Sequence, residues 1–443
     1  MFQYWRDLAR KHKRKVIIST GVVAASYFIG KYVASKIEEF QKRIKEENFA
    51  KEQVKRRFKQ TQNDSYMTFL SLLPVLVEPI YEDLNVEEIT GELRSRRSSR
   101  KISQSEDNTK SETGLSTVAS EEFKVSTKTT QEDGESLQKK MIQNKSKSEL
   151  WSALKTVSLT RFMTLFYCQS MLIIYLHLQL NILSRKSYYE SAVKLASVRD
   201  ADLIKSAGNS SNQGDENTLP EQAFLSFSWW FLNKGWLQLK NIIEDSVENV
   251  FGEINPRQKL SIKEFASLIN TCQQTIYKKL QSGEDLQNDS SNAIVNFLLP
   301  PHDKEFYLLQ QTNSADFLAD FNADITNTEN LEKFLAELRG YLQNEQVTSL
   351  LNILVTVGIS LVLDNILADI EANTALKSNI DASEPNATKK GSENLKLASL
   401  LALITKQSNK LTNNSLDNDI LCTLNNLQEL EDLSANVYSN FIS

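Results

Sequence analysis

A block of basic residues followed at once by an apolar run constrains this 443-residue chain more than any other feature. The block covers residues 10–15 (RKHKRK), and the run covers residues 16–34 (VIISTGVVAASYFIGKYVA). As a helix, residues 16–33 would rise about 27 Å at ~1.5 Å per residue. This is close to the hydrocarbon thickness of a bilayer, about 30 Å. We therefore expect an N-terminal transmembrane helix that anchors the chain.

The expected anchor has an apolar core and a cationic border. The core is formed by the residues Val16, Ile17, Ile18, Val22, Val23, Tyr27, Phe28 and Ile29. The border suits anionic lipid headgroups and is formed by the residues Arg10, Lys11, Lys13, Arg14 and Lys15. Basic residues also follow the run, so charge bias does not determine the orientation. A cleaved or organellar signal and a buried core helix remain alternatives, although charged helix follows the run instead of a small-residue cleavage site.

Few turn-forming residues and an uneven charge limit what the rest of the chain can be. The 13 Gly and 7 Pro fall far below average usage of about 7% and 5%, which favours long helices over a β or α/β fold. The first 60 residues have a local charge of +10, which leaves −15 for the remainder. Such an acidic body would repel a phosphate backbone, so we expect no nucleic-acid partner. Three scattered cysteines fit a reducing compartment.

The distribution of apolar residues predicts an all-α protein in which a large helical bundle with long central helices follows the anchor. We divide the chain into a basic segment (1–15), the anchor (16–34), membrane-proximal helices (35–93), a disordered Ser- and Thr-rich insertion (94–146) and the main bundle (147–443), with loose loops near 206–218 and 371–394. In the membrane-proximal part, one helix face carries Leu70, Leu73, Leu76, Val77 and Ile80. Pro74 predicts a kink or a break there.

A second apolar stretch, residues 162–183, is long enough to imitate a membrane span. Five polar residues interrupt it, and each would cost free energy in lipid without a partner: Gln169, Ser170, His177, Gln179 and Asn181. We therefore interpret the stretch as a long helix through the centre of a soluble bundle. His177 would then be a hydrogen-bonded core histidine and not a metal ligand.

Further helices follow in the C-terminal half. Ser261 and Glu264 form a capping box that begins one of them. Others are predicted over the ranges Asn330–Gln343, Glu345–Ile370, Leu395–Leu411, Ile420–Leu430 and Leu433–Phe441. The aromatic segment before them contains Trp229, Trp230 and Trp236, which we interpret as mainly structural.

The sequence contains no pattern that indicates catalysis. Its three histidines are His12, His177 and His302, and no two are spaced for a metal site. No Gly-rich phosphate loop, GxSxG or HExxH motif occurs. We therefore expect a binding protein without enzymatic activity, metal or cofactor. A membrane-tethered hydrolase would need a nucleophile and base that the sequence does not offer.

Several long motifs, in a fixed order after the anchor, resemble the peroxin 3 family (peroxisomal biogenesis factor 3) in its yeast form. They are FAKEQVKRRFKQTQNDS, SELWSALK, LQLNIL, EQAFLSFSWWFLNKGWL and EDLSANVYSNF. The resemblance covers nearly the whole chain outside the insertion and the two later loops. It implies a single-pass peroxisomal membrane protein with its N-terminus in the matrix and an all-helical domain in the cytosol.

The resemblance also implies a partner and a site. Members dock peroxin 19, the soluble chaperone-receptor for new peroxisomal membrane proteins, through its amphipathic N-terminal helix. A Trp at the start of the long central helix anchors that helix, with a Lys four residues before it, and Trp151 and Lys147 occupy these places. Leu150 and Leu154 are expected to line the same groove. Yeast members are also implied as tethers for inheritance and pexophagy adaptors. Without the resemblance, the residues alone favour Trp151 as a cap on the bundle core.

Overall fold

The computed structural model describes residue 36 and the ranges 51–105, 145–201, 218–282, 293–380 and 394–440. The expected anchor (16–34) and its basic border (10–15) lie outside these residues, as does most of the expected insertion. The chain forms two compact units, Met1–Thr61 and Gln62–Ser443. In the first unit, residue 36 and residues 51–61 are helical.

Helices build the described part of the second unit. In chain order they are α1 (51–83, from residue 62 onward in this unit), α2 (Val86–Ser105), α3 (Lys147–Ala201), α4 (Thr218–Ser226), α5 (Ser228–Trp230), α6 (Trp236–Phe251), α7 (Ile262–Ser282), α8 (Ala293–Leu298), α9 (His302–Thr312), α10 (Ala315–Ala323), α11 (Ile325–Leu342), α12 (Glu345–Ile380), α13 (Leu397–Leu411), α14 (Asp419–Asn425) and α15 (Gln428–Ser439). A π-helical turn, Phe231–Gly235, joins α5 to α6. The two-residue strands β1 (Lys259–Leu260) and β2 (Leu395–Lys396) pair antiparallel. Apart from this ladder, the described residues confirm an all-α helical bundle.

Helix α3 forms the centre of the bundle because the middle of the helix carries large apolar residues on every side, between the few polar ones. Helices α2, α6, α11, α12, α13 and α15 pack around it, and residues 158–179 are all buried. Two described segments, Lys147–Val193 and Glu345–Ala372, are long and apolar enough to cross a membrane. In the first, 94% of the most apolar window is buried inside the protein, compared with 44% in the second. The interpretation of residues 162–183 as a core helix is confirmed.

His177 joins α3 to three other helices. Its Nδ1 atom lies 2.9 Å from Gln62 Oε1 in α1 and 3.1 Å from Ser434 Oγ in α15. Its Nε2 atom lies 3.0 Å from Asn425 Oδ1 in α14. Burial lowers the pKa of His177 to about 4, so the ring is neutral at pH 7. The prediction of a hydrogen-bonded core histidine is confirmed.

Local rules of helix initiation and packing explain several outcomes. The capping box is confirmed, since the Glu264 N–H donates to Ser261 Oγ at 3.2 Å and the Ser261 N–H donates to Glu264 Oε2 at 2.8 Å. Helix α1 continues through Pro74 without separating into two helices. The buried face around it, which includes Leu73 and Leu76, holds the helix together despite the missing N–H.

The described helices differ from the prediction at three boundaries. Helix α2 reaches Ser105, so the insertion expected from residue 94 begins inside a helix. Helix α12 reaches Ile380, past the loop expected from residue 371. The final pair of helices breaks at Asn426 and Leu427, earlier than predicted. Residues 202–217, most of the loop expected near 206–218, lie outside the described ranges.

Candidate functional site

Helix α3 begins with a capping box that the sequence reasoning missed. The Ser146 N–H donates to Glu149 Oε2 at 2.6 Å, and the Glu149 N–H donates to Ser146 Oγ at 3.3 Å. These two bonds satisfy backbone donors that no helical carbonyl can reach. The first turn is therefore held in helical geometry, with Lys147 exposed and Trp151 one turn further along.

A small apolar cluster, separate from the main core, supports this end of α3. We call it the α2–α3 cluster, and its buried members are Val86, Ile89, Leu93, Leu150 and Leu154. Leu150 is fully buried and Leu154 is 8% exposed, because helix α2 covers both side chains. Their position differs from the expectation that they line a groove. They form the buried support on which Trp151 packs.

Trp151 is half-buried at the edge of the α2–α3 cluster. Its indole contacts the cluster on one side and keeps part of its surface in solvent. Lys147, four residues earlier on the same helix, is exposed. An aromatic side chain fixed on an ordered helix, with one side open, has the form of an anchor for an apolar partner.

Exposed basic residues occur on the two segments that meet at the Trp151 end of α3, although the chain beyond residue 60 is acidic overall. Arg94 and Arg97 in the middle of α2, Lys145 just before α3 and Lys147 at its start are all exposed. Arg96 connects the two groups, because its Nη1 donates to the Lys145 carbonyl at 2.6 Å. Sequence reasoning named Lys147 alone, since it assigned the RSRR run to a disordered insertion. The RSRR run was the sequence signal that could have indicated further basic residues at this site.

The aromatic segment shows a different pattern from Trp151. Trp230 and Trp236 are 6% and 3% exposed, and Trp229 packs in part against the main core. This is consistent with the structural role predicted for them. Among the described residues, no group of three or more His, Cys, Asp or Glu could hold a metal ion.

The fold and site define an all-α bundle with a half-buried tryptophan in a basic setting. A family model described as Peroxin-3 matches residues 7–440. The "Peroxisomal membrane protein PEX3" of Komagataella phaffii is 49% identical, with the whole of both chains covered. The "Peroxisomal biogenesis factor 3" of Debaryomyces hansenii is 31% identical over 100% of this chain and 99% of that one. That of Saccharomyces cerevisiae is 30% identical over 98% and 96%. The chain belongs to the peroxin-3 family of peroxisome biogenesis factors.

Proposed function

We propose that this chain is a docking receptor for peroxin 19 in the peroxisomal membrane, and that it binds the amphipathic N-terminal helix of that partner at Trp151. The observation that carries the proposal is the half-burial of Trp151 on a capped helix. A fully buried indole could not contact a partner, and an unsupported one would lose entropy on binding. Here the α2–α3 cluster fixes the indole before the partner arrives.

The exposed basic residues near the start of α3 give the proposed site a preference for an acidic partner. Exposed Arg94, Arg97, Lys145 and Lys147 create a positive field around an apolar anchor. Charges at the edge of an interface mainly raise the association rate, whereas the buried aromatic anchor lowers the dissociation rate. The chain then acts by binding alone, without a catalytic step.

Residues 16–34 are proposed to span the membrane once, with the N-terminus in the matrix and the bundle in the cytosol. The printed name of the Komagataella relative, a peroxisomal membrane protein, supports a membrane location. The full chain should stay in the membrane pellet after alkaline carbonate extraction, and a chain without residues 1–34 should not. Protease added to intact organelles should digest the bundle, and protection of the bundle would contradict the proposed orientation.

The docking site is tested by titrating the full chain in lipid nanodiscs with a peroxin 19 N-terminal peptide. Trp151→Ala should weaken binding at least about 30-fold, since truncating an aromatic anchor costs about 2 kcal/mol or more. Trp229→Ala is the matched control, because it removes another partly buried indole, from the aromatic segment. Helical circular dichroism should be retained in both variants. Wild-type affinity in Trp151→Ala would refute the assignment.

A further inference from the structure

Lys155 lies one helical turn after Trp151 on α3, and its ammonium group is buried. The residue is 1% exposed. Its Nζ donates to three backbone carbonyl oxygens: Phe251 at 2.5 Å, Gly252 at 2.8 Å and Ile254 at 3.1 Å. All three donors of the ammonium group are therefore used, as a buried cation requires.

The carbonyls that Lys155 contacts belong to the end of α6 and the residues after it. The last carbonyls of a helix lack partners within the helix and carry partial negative charge. A left-handed glycine often satisfies such carbonyls. Gly252 is right-handed, with φ −51° and ψ −49°, and the Ile254 N–H donates to the Phe251 carbonyl at 3.0 Å instead of to the earlier carbonyl that this motif uses. Lys155, from a different helix, adds a second donor to the Phe251 carbonyl and supplies a donor to the Gly252 carbonyl.

A second contact beside Lys155 joins the same two helices. The Thr156 hydroxyl donates to Glu248 Oε2 at 2.9 Å, one turn before the end of α6. On the neighbouring face of α3, helix α2 covers Leu150 and Leu154. The turn that carries Trp151 is therefore held by α2 and by the end of α6.

We propose that Lys155 is a positioning residue for the Trp151 surface. By capping α6 it fixes the turn of α3 that follows Trp151, and so it sets the orientation in which the indole is presented to a partner. The binding part of this inference rests on the proposed function. The orientation part concerns the free protein and does not depend on the proposed function.

The test is ¹⁹F NMR of the full chain, labelled with 5-fluorotryptophan and held in lipid nanodiscs. Trp151→Phe assigns the Trp151 resonance. Lys155→Met should move that resonance, leave those of Trp229, Trp230 and Trp236 in place, and weaken binding of the peroxin 19 peptide at least about five-fold.

Arg185→Met is the matched control. Arg185 is a second buried cation on α3, and its Nη1 donates to the Val437 carbonyl at 3.1 Å while its Nη2 lies 2.6 Å from Glu337 Oε2. It lies far along the helix from Trp151. Arg185→Met should lower the melting temperature as much as Lys155→Met does, yet leave the Trp151 resonance and the peptide affinity unchanged.

The two proposals fail in distinguishable ways. If the wild-type chain does not bind the peptide, the docking function is refuted, and the resonance still tests the positioning role. If Lys155→Met leaves the Trp151 resonance unmoved, or Arg185→Met moves it equally, the positioning role is overturned. If Lys155→Met does not fold, Thr156→Val takes its place. A smaller shift of the Trp151 resonance is then expected, and an unmoved resonance would overturn the proposal.

Discussion

The guanidinium group of Arg161 in α3 holds the carboxylate of Glu87 in α2 through two hydrogen bonds, of 2.7 and 3.0 Å. The Arg161 side chain is 1% exposed, whereas that of Glu87 is 56% exposed. The Arg161 guanidinium also lies 4.4 Å from the ring centre of Tyr81. This pair ties α2 to α3 below the Trp151 surface, and its two members differ sharply in access to water.

Substituting Glu87 and substituting Arg161 should therefore lower the free energy of unfolding by different amounts. Glu87→Gln removes the charge that compensates a buried guanidinium, so the free energy of unfolding should fall by about 3 kcal/mol. Arg161→Met leaves a carboxylate that water can solvate, and the loss should be smaller. Urea unfolding measures both values. Glu92→Gln, which breaks a half-buried i,i+4 pair with Arg96, should cost less, about 1 kcal/mol, because water still reaches both side chains. Equal losses for Glu87→Gln and Arg161→Met would contradict the argument.

The exposed basic residues near the start of α3 should control the rate at which a partner associates. Arg97→Glu combined with Lys147→Glu should slow association with the peroxin 19 peptide about ten-fold at low ionic strength. The difference from the wild type should shrink at high salt, because exposed charges are screened. Stopped-flow fluorescence measures the rate. Lys333→Glu, which reverses the charge of an exposed residue on α11, is the control and should leave the association rate unchanged.

His177 should make the fold sensitive to mild acid. Its pKa is about 4 in the folded state, and an unfolded histidine titrates near 6.5. Between these values the unfolded chain binds the proton more readily, so stability falls as the pH drops from 6.5 towards 4. The loss should approach about 3 kcal/mol. In His177→Gln the slope over this window should flatten. An unchanged slope in His177→Gln would exclude this origin.

Two helix-interior glycines should respond oppositely to alanine. A Cβ atom on Gly358 of α12 would lie 2.5 Å from Cε1 of Phe166 in α3, whereas one on Gly340 of α11 meets nothing within 4 Å. Gly358→Ala should destabilise the fold by about 1–3 kcal/mol through overpacking. Gly340→Ala should stabilise it by up to about 1 kcal/mol through helix propensity. Thermal unfolding gives both signs, and a stabilised Gly358→Ala would show that α12 and α3 are not so close.

The residues themselves indicated much of the architecture. Scarce Gly and Pro predicted helices, and buried polar residues such as His177 identified a core helix instead of a membrane span. The capping box at Ser261 marked a helix start correctly. These signals are local, because they depend on spacing within one turn or on composition within one segment.

The sequence by itself determined the all-α class, the core role of α3 and, through its motifs, the family, from which the proposed docking residue Trp151 follows. The tertiary structure alone showed that Leu150 and Leu154 lie under α2 and that Arg96 of α2 donates to the Lys145 carbonyl just before α3. It alone revealed the Lys155 cap on α6. Each of these contacts joins residues distant in sequence, and its energy depends on burial that exists only once the helices have packed.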